Sequence, residues 1–140
     1  MNPLIPELIV SDLQRSLDFY CQVLGFKIEY QRPEDKFAFL SYHGSQLMLE
    51  QDDEEDSPWH VGPLEQPFGR GMNLSIECPD SKLLSQTIEL AGHQLRSPVE
   101  ERWYRDNDLL LHGQLNLLVL DPDGYLLRFN QKLGSKAVQV

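Results

Sequence analysis

Basic residues are scarce in this chain of 140 residues: 12 Lys and Arg stand against 22 Asp and Glu, for a net charge of −10. That deficit opposes a broad phosphate-binding face, so nucleic acid is excluded as an expected partner. Cysteine is rarer still. Cys21 and Cys78 are the only two, and neither their number nor their spacing makes a disulfide framework or a zinc site, which fits a reducing cytoplasm. No apolar run approaches the roughly 18 residues of a membrane-crossing helix, so no membrane partner is expected. The first residues, "MNPLIPELIV", lack a basic region followed by a long apolar stretch, the pattern of a secretory leader. Four histidines are present, but no two have metal-ligand spacing. No nucleophile–His–Asp set and no phosphate-cradling glycine loop stands out.

What remains is an ordinary globular composition, 41% hydrophobic and 24% charged, in a length that suits one domain or two small halves sharing a core. The apolar periodicity divides it. Leu4 to Val10 reads as a strand. Ser11 is the expected N-cap of a helix, with Gln14 three residues on completing a capping box. Leu13, Leu17, Tyr20 and Leu24 form its buried stripe, and Gly25 ends it. Strands are expected over residues 26–31, 36–42 and 46–51. "QDDEED" opens an exposed, acidic and proline-containing loop that runs to about Phe68. The order then restarts: a strand over 71–77, a helix capped by Asp80 and ended by Gly92, a short strand over 93–96, then strands over 109–112, 114–120 and 125–130. Strand, helix, three strands is written twice, with Asp12 and Asp80 at matching helix starts. The pattern of elements repeats although the residues barely do, which argues for two βαβββ modules. The first covers residues 1–51, a linker 52–69, the second module 70–134, and a loose tail 135–140.

"VSDLQRSLDFYCQVLGF" and "DPDGYLLRF" give this pattern a resemblance. The first resembles the opening strand–helix signature of the vicinal oxygen chelate superfamily, which holds glyoxalase I, extradiol dioxygenases and bleomycin resistance proteins. The second resembles its last hairpin. "FGRGMNLSI" and "WYR" are most similar to the bleomycin-resistance-like branch. The resemblance spans about Leu4 to Gly134 and implies an α+β fold: two βαβββ modules forming curled mixed sheets around a concave cup, helices on the outer face. It also implies a homodimer, and in the enzymes a divalent metal held by four His or Glu side chains. Position by position, those four places fall on Ile5, Glu50, Gly71 (Met72 if the register slips by one) and Arg128. Ile5 and Gly71 have no ligating side chain, and arginine has no lone pair to give a metal. No metal and no other cofactor is therefore expected.

Strand alternation selects the remaining candidates. Tyr125, Leu127 and Phe129 share a core face, which leaves Leu126, Arg128 and Asn130 on the inner one. Arg128 and Glu50 either anchor ligand groups of opposite charge or form a structural ion pair in place of the metal. Glu7 on the first strand either binds a cation or bonds a neighbouring strand. Asn73 and Ser75 point inward, Phe39 lines the inner face or packs under the helix, and His112 is the one histidine placed to reach it. Trp103 and Tyr104, in a charged loop "EERWYRDND", and Trp59, on the central loop, supply aromatic walls or cover the sheet. Two functions follow. One is a metal-free protein that sequesters a small cationic or aromatic molecule, an antibiotic being one candidate. The other is an enzyme of isomerase, lyase or dioxygenase type with a metal-independent or divergent site, using Glu50 or His112 as base and Arg128 as an oxyanion partner.

Overall fold

The computed structural model describes every residue except Glu55, Asp108 and Val140. The chain divides into two compact units, Met1–Met72 with Asp121–Tyr125, and Asn73–Leu120 with Leu126–Val140. The boundary differs from a simple division in sequence, because the turn of the last hairpin belongs to the first unit.

The first unit runs β1 (Glu7–Ile9), α1 (Leu13–Leu17), β2 (Lys27–Arg32), β3 (Phe37–Tyr42) and β4 (Ser45–Glu50), in sheet order β1-β4-β3-β2. β1 runs parallel to β4, and the other pairs are antiparallel. The second unit repeats this plan with β5 (Asn73–Glu77), α2 (Ser81–Leu90), β6 (Ser97–Arg105), β7 (Leu110–Leu120) and β8 (Leu126–Ala137), in order β5-β8-β7-β6. The two βαβββ modules and the α+β class are as the periodicity indicates.

In each unit one sheet face carries the core. Leu8, Leu40, Leu47 and Leu49 are buried in the first, together with Leu17, Tyr20 and Phe26 of the helical segment and its exit. Tyr20, Phe26 and Tyr42 form a chain of ring contacts at 5.3 and 4.8 Å. In the second unit Ile76, Leu117, Val119, Leu127 and Phe129 are buried with Leu84 and Ile88 of α2. The alternation of Tyr125, Leu127 and Phe129 is therefore the core face.

Several local expectations need correction. Ser11 does not cap α1. Asp12 does, its carboxylate accepting from the Arg15 N–H at 3.1 Å, while the Ser11 N–H and hydroxyl both donate to Asp123. α1 then continues as a π-helical turn over Asp18–Val23, closed by the Leu24 N–H on the Phe19 carbonyl. Residues 93–96 form no strand. β6 starts at Ser97 and takes in much of the presumed "EERWYRDND" loop, because a sheet edge exposed to solvent accommodates both its charges and Pro98. Residues 110–120 form one strand rather than two, and β8 continues to Ala137 through most of the presumed tail, paired with β7 as a long ribbon.

The "DPDG" turn is the polar centre of the first unit. Asp123 is fully buried and accepts from Ser11, from Gln66 at 3.2 Å and from Arg15 at 3.3 Å. Asp121 accepts from the Tyr20 hydroxyl at 2.8 Å and from the Asp123 and Tyr125 N–H groups at 2.9 Å. Burial nonetheless outweighs these donors and pushes the Asp121 carboxyl up to about 6. A folded-state value above the unfolded one makes this group's contribution most favourable below about pH 4, and it is lost as pH rises to about 6. Asp121→Asn removes the charge while its Oδ1 still accepts the two N–H groups, but it takes the acceptor from the buried Tyr20 hydroxyl. It should flatten the stability profile between about pH 4 and 6, because the group that titrates there is gone. Urea melts at a series of pH values check this. The same slope in both proteins would contradict it.

Candidate functional site

The sheet face opposite the core differs in chemistry between the two units. In the first, the register sets Glu7, Met48, Phe39 and Tyr30 in one row and Ile9, Glu50, Phe37 and Arg32 in the next. Glu7 and Glu50 therefore occupy adjacent rows on neighbouring strands. The Glu7 carboxyl is raised above its ordinary range, first by partial burial, then by the nearby Glu50 carboxyl. Beside the pair lies an aromatic layer. The Tyr30 ring stacks on Phe39 at 5.1 Å and 6°, and the Arg32 guanidinium sits 4.0 Å from the Phe37 ring centre.

This layer refines the aromatic expectation. Phe39 is only 2% exposed and so supports the surface rather than forming it, whereas Tyr30 is 40% exposed. Tyr30 and Arg32 are the residues the sequence reading missed. Their signal was the alternation of β2, which a bulge between Ile28 and Tyr30 disguises by one residue. Trp59 stands 63% exposed on the central loop.

In the second unit the corresponding face carries Ser75, Arg128, Leu118 and Ser97 across the sheet, with Asn130, Asn116 and Glu100 in the next row. A cavity of about 260 Å³ lies here, lined in part by Arg128, Asn116, Tyr104, Glu100 and Arg102. The Asn116 side-chain amide bonds the Tyr104 hydroxyl at 2.8 Å, Asn130 donates to Ser75 at 3.0 Å, and Arg102 pairs with Glu100 at 2.7 Å. Asn73 lies at the exposed start of β5.

Trp103 and Tyr104 are consecutive on β6, so they point to opposite faces and cannot wall one site together. Trp103 packs over Gly113, where a Cβ would meet the indole at 2.6 Å, and its other contacts are Lys136 at 4.0 Å and Glu101 at 3.0 Å. His112 lies at the exposed end of the ribbon, bonded to Asp106 at 2.7 Å and Ser135 at 2.9 Å. Among the described residues no three His, Cys, Asp or Glu side chains gather where they could hold a metal ion. Of the four places at which a metal ligand is implied, only Glu50 offers an ionisable oxygen, so these residues do not fit a divalent ion.

Two mixed sheets of identical strand order, each built from one βαβββ module, leave the family to be decided by comparison. Residues 4–129 match the model of the Glyoxalase/Bleomycin resistance protein/Dioxygenase superfamily. The chain belongs to this superfamily. Among members of the superfamily, it is 30% identical over 140 residues to a bleomycin resistance protein of Geobacillus stearothermophilus, with 94% of this chain and 97% of the relative covered. It is also 30% identical over 125 residues to glyoxalase domain-containing protein 4 of Mus musculus. That match covers 87% of this chain, which spans only 38% of the relative's length. The fold matches the crystal structure of a protein of unknown function from Agrobacterium tumefaciens with a TM-score of 0.72, at 25% identity and 95% coverage of both chains. Among the described residues no helix is long and apolar enough to cross a membrane.

Proposed function

We propose that this glyoxalase-superfamily chain binds and sequesters a small cationic, aromatic molecule without a metal and without covalent chemistry. The observation that carries this reading is the Glu7–Glu50 carboxyl pair, set on neighbouring strands beside the stacked Tyr30 and Phe39 rings. The Glu50 carboxyl disfavours a charge on Glu7, and a ligand cation relieves that repulsion while its ring rests on the exposed face of Tyr30. The near full-length similarity to a bleomycin resistance protein supports a sequestering role, with an antibiotic as the candidate ligand. The net charge of −10 supports attraction of a cation from a distance. The same reading has the chain act as a homodimer in the cytoplasm. Leu109, Leu110 and Leu133, exposed toward the far end of the β7–β8 ribbon, support an assembly that covers them.

Proflavine, a planar cation, tests the pairing by fluorescence titration. The native protein should bind it more tightly than fluorescein, an anion of similar ring size. The double variant Glu7→Gln with Glu50→Gln should weaken binding by about tenfold or more, equivalent to ~1.4 kcal/mol. Because the Glu7 carboxyl is raised, cation affinity should climb as pH rises through the acid range and Glu7 ionises. Equal affinity for the two dyes, or an unchanged double variant, would overturn the assignment of this face.

A further inference from the structure

Arg128 is the group that this reading leaves unused. Its Nε is buried and has no hydrogen-bond partner, and no carboxylate among the described residues of its own unit pairs with it. Arg15, Lys27, Arg32, Lys36, Arg102 and Lys132 each have a carboxylate within 4.0 Å. Leaving a buried guanidinium donor unmet is costly, and the cost is removed when an acceptor arrives.

The cavity beside it is made to receive one. Arg128 lies directly opposite Leu118, and Asn116, two residues along β7, shares its face. That diagonal separation, about 7–8 Å, is spanned by one small planar group. Asn116 also has an unmet buried atom, Oδ1, while its other amide atom meets the Tyr104 hydroxyl. A half-turn of the amide leaves that contact intact, because a tyrosine hydroxyl donates as readily as it accepts. The turn exchanges an unmet acceptor for an N–H₂ donor on the sheet face that Asn116 shares with Arg128. The one carboxylate lining the cavity, Glu100, is already neutralised by Arg102 at 2.7 Å.

We propose that this cavity of the second unit is a carboxylate subsite, in which Arg128 donates through Nε to one ligand oxygen and Asn116 donates through its side-chain amide to the other. The positive charge of Arg128 sets the preference for a full anion over a neutral carbonyl. Asn116 is the second contact, and Tyr104 is its positioning residue. The proposal concerns a different face from the Glu7–Glu50 pair and stands or falls separately from it.

The Nε–Hε resonance of Arg128, assigned by its loss in Arg128→Met, reports the contact in the intact native chain. Benzoate, benzamide and benzylamine, three probes of one shape, are titrated in turn. Benzoate should shift this resonance to saturation with a Kd at least about tenfold below that of benzamide, and benzylamine should leave it unmoved. Asn116→Leu should weaken benzoate binding while the rest of the amide spectrum stays dispersed. If the Arg128 variant fails to fold, assignment by selective arginine labelling keeps the native titration decisive. Benzamide binding as tightly as benzoate would overturn the carboxylate assignment. No response to any probe would overturn the subsite, leaving a cavity filled by solvent alone. Loss of proflavine binding with benzoate binding intact would count against the cation face only.

Discussion

Asp123→Ala should destabilise the first unit by about 3–5 kcal/mol, more than any other single polar substitution in the chain. The carboxylate is 0% exposed and meets four donors, the Ser11 N–H, the Ser11 hydroxyl, Gln66 and Arg15. Removing it takes the acceptor from the Ser11 N–H and hydroxyl where β1 turns into α1, and from the Gln66 amide on the central loop, and leaves a void at a fully buried position. Arg15 contributes least, because its side chain is 53% exposed and water replaces the carboxylate there. Asp123→Asn should recover part of the loss, since its Oδ1 still accepts while its amide faces a donor. Urea denaturation of the three proteins checks the order. A loss below about 1 kcal/mol for alanine would show that water satisfies the stranded donors.

Gly124→Val should come close, at about 3 kcal/mol or more, for a different physical reason. Gly124 has φ of +93°, a backbone conformation that β-branched residues strongly avoid. A Cβ there would also meet the Pro67 Cα at 2.6 Å and the Phe68 nitrogen at 3.2 Å. These are backbone atoms and cannot swing aside as a side chain would. The neighbouring Phe68 N–H donates to the Asp123 carbonyl at 2.8 Å, so relief of the clash pulls on the same buried turn. Gly44→Val is the control. Its φ is similar at +91° but its surroundings are open. The difference between the two midpoints therefore reads the clash alone, and equal midpoints would contradict it.

Much of this architecture is legible in residue order, because burial enforces it. Leu127 and Phe129 are fully buried, and a strand with a buried face must alternate. Gly25 and Gly92 end helices at φ of +91° and +90°, where other residues are strained. The misreadings fall where burial is weak. β6 is an edge strand with solvent on much of both faces, so its charges carried no periodicity and "EERWYRDND" read as a loop. Ser11 and Asp12 are both good caps, and the choice between them is made by Asp123, more than a hundred residues away.

The candidate site was legible in part for the same reason. Glu7, Phe39 and Glu50 do share a face, since β1, β3 and β4 keep strict register. Tyr30 escaped notice because one bulged residue shifts its parity. Trp103 and Tyr104 parted once their segment proved to be a strand. Arg128 was singled out by alternation alone, but its unmet Nε is a property of packing that no sequence pattern carries.

The central claim is that this member of the glyoxalase superfamily holds a small molecule without a metal. Calorimetric titration of bleomycin into protein dialysed exhaustively against EDTA tests it most directly. Saturable binding is expected, with a Kd of about 10 μM or tighter, unchanged when zinc, nickel or manganese is restored. Binding that appears only after a divalent ion is added, or no binding at about 100 μM protein, would contradict it.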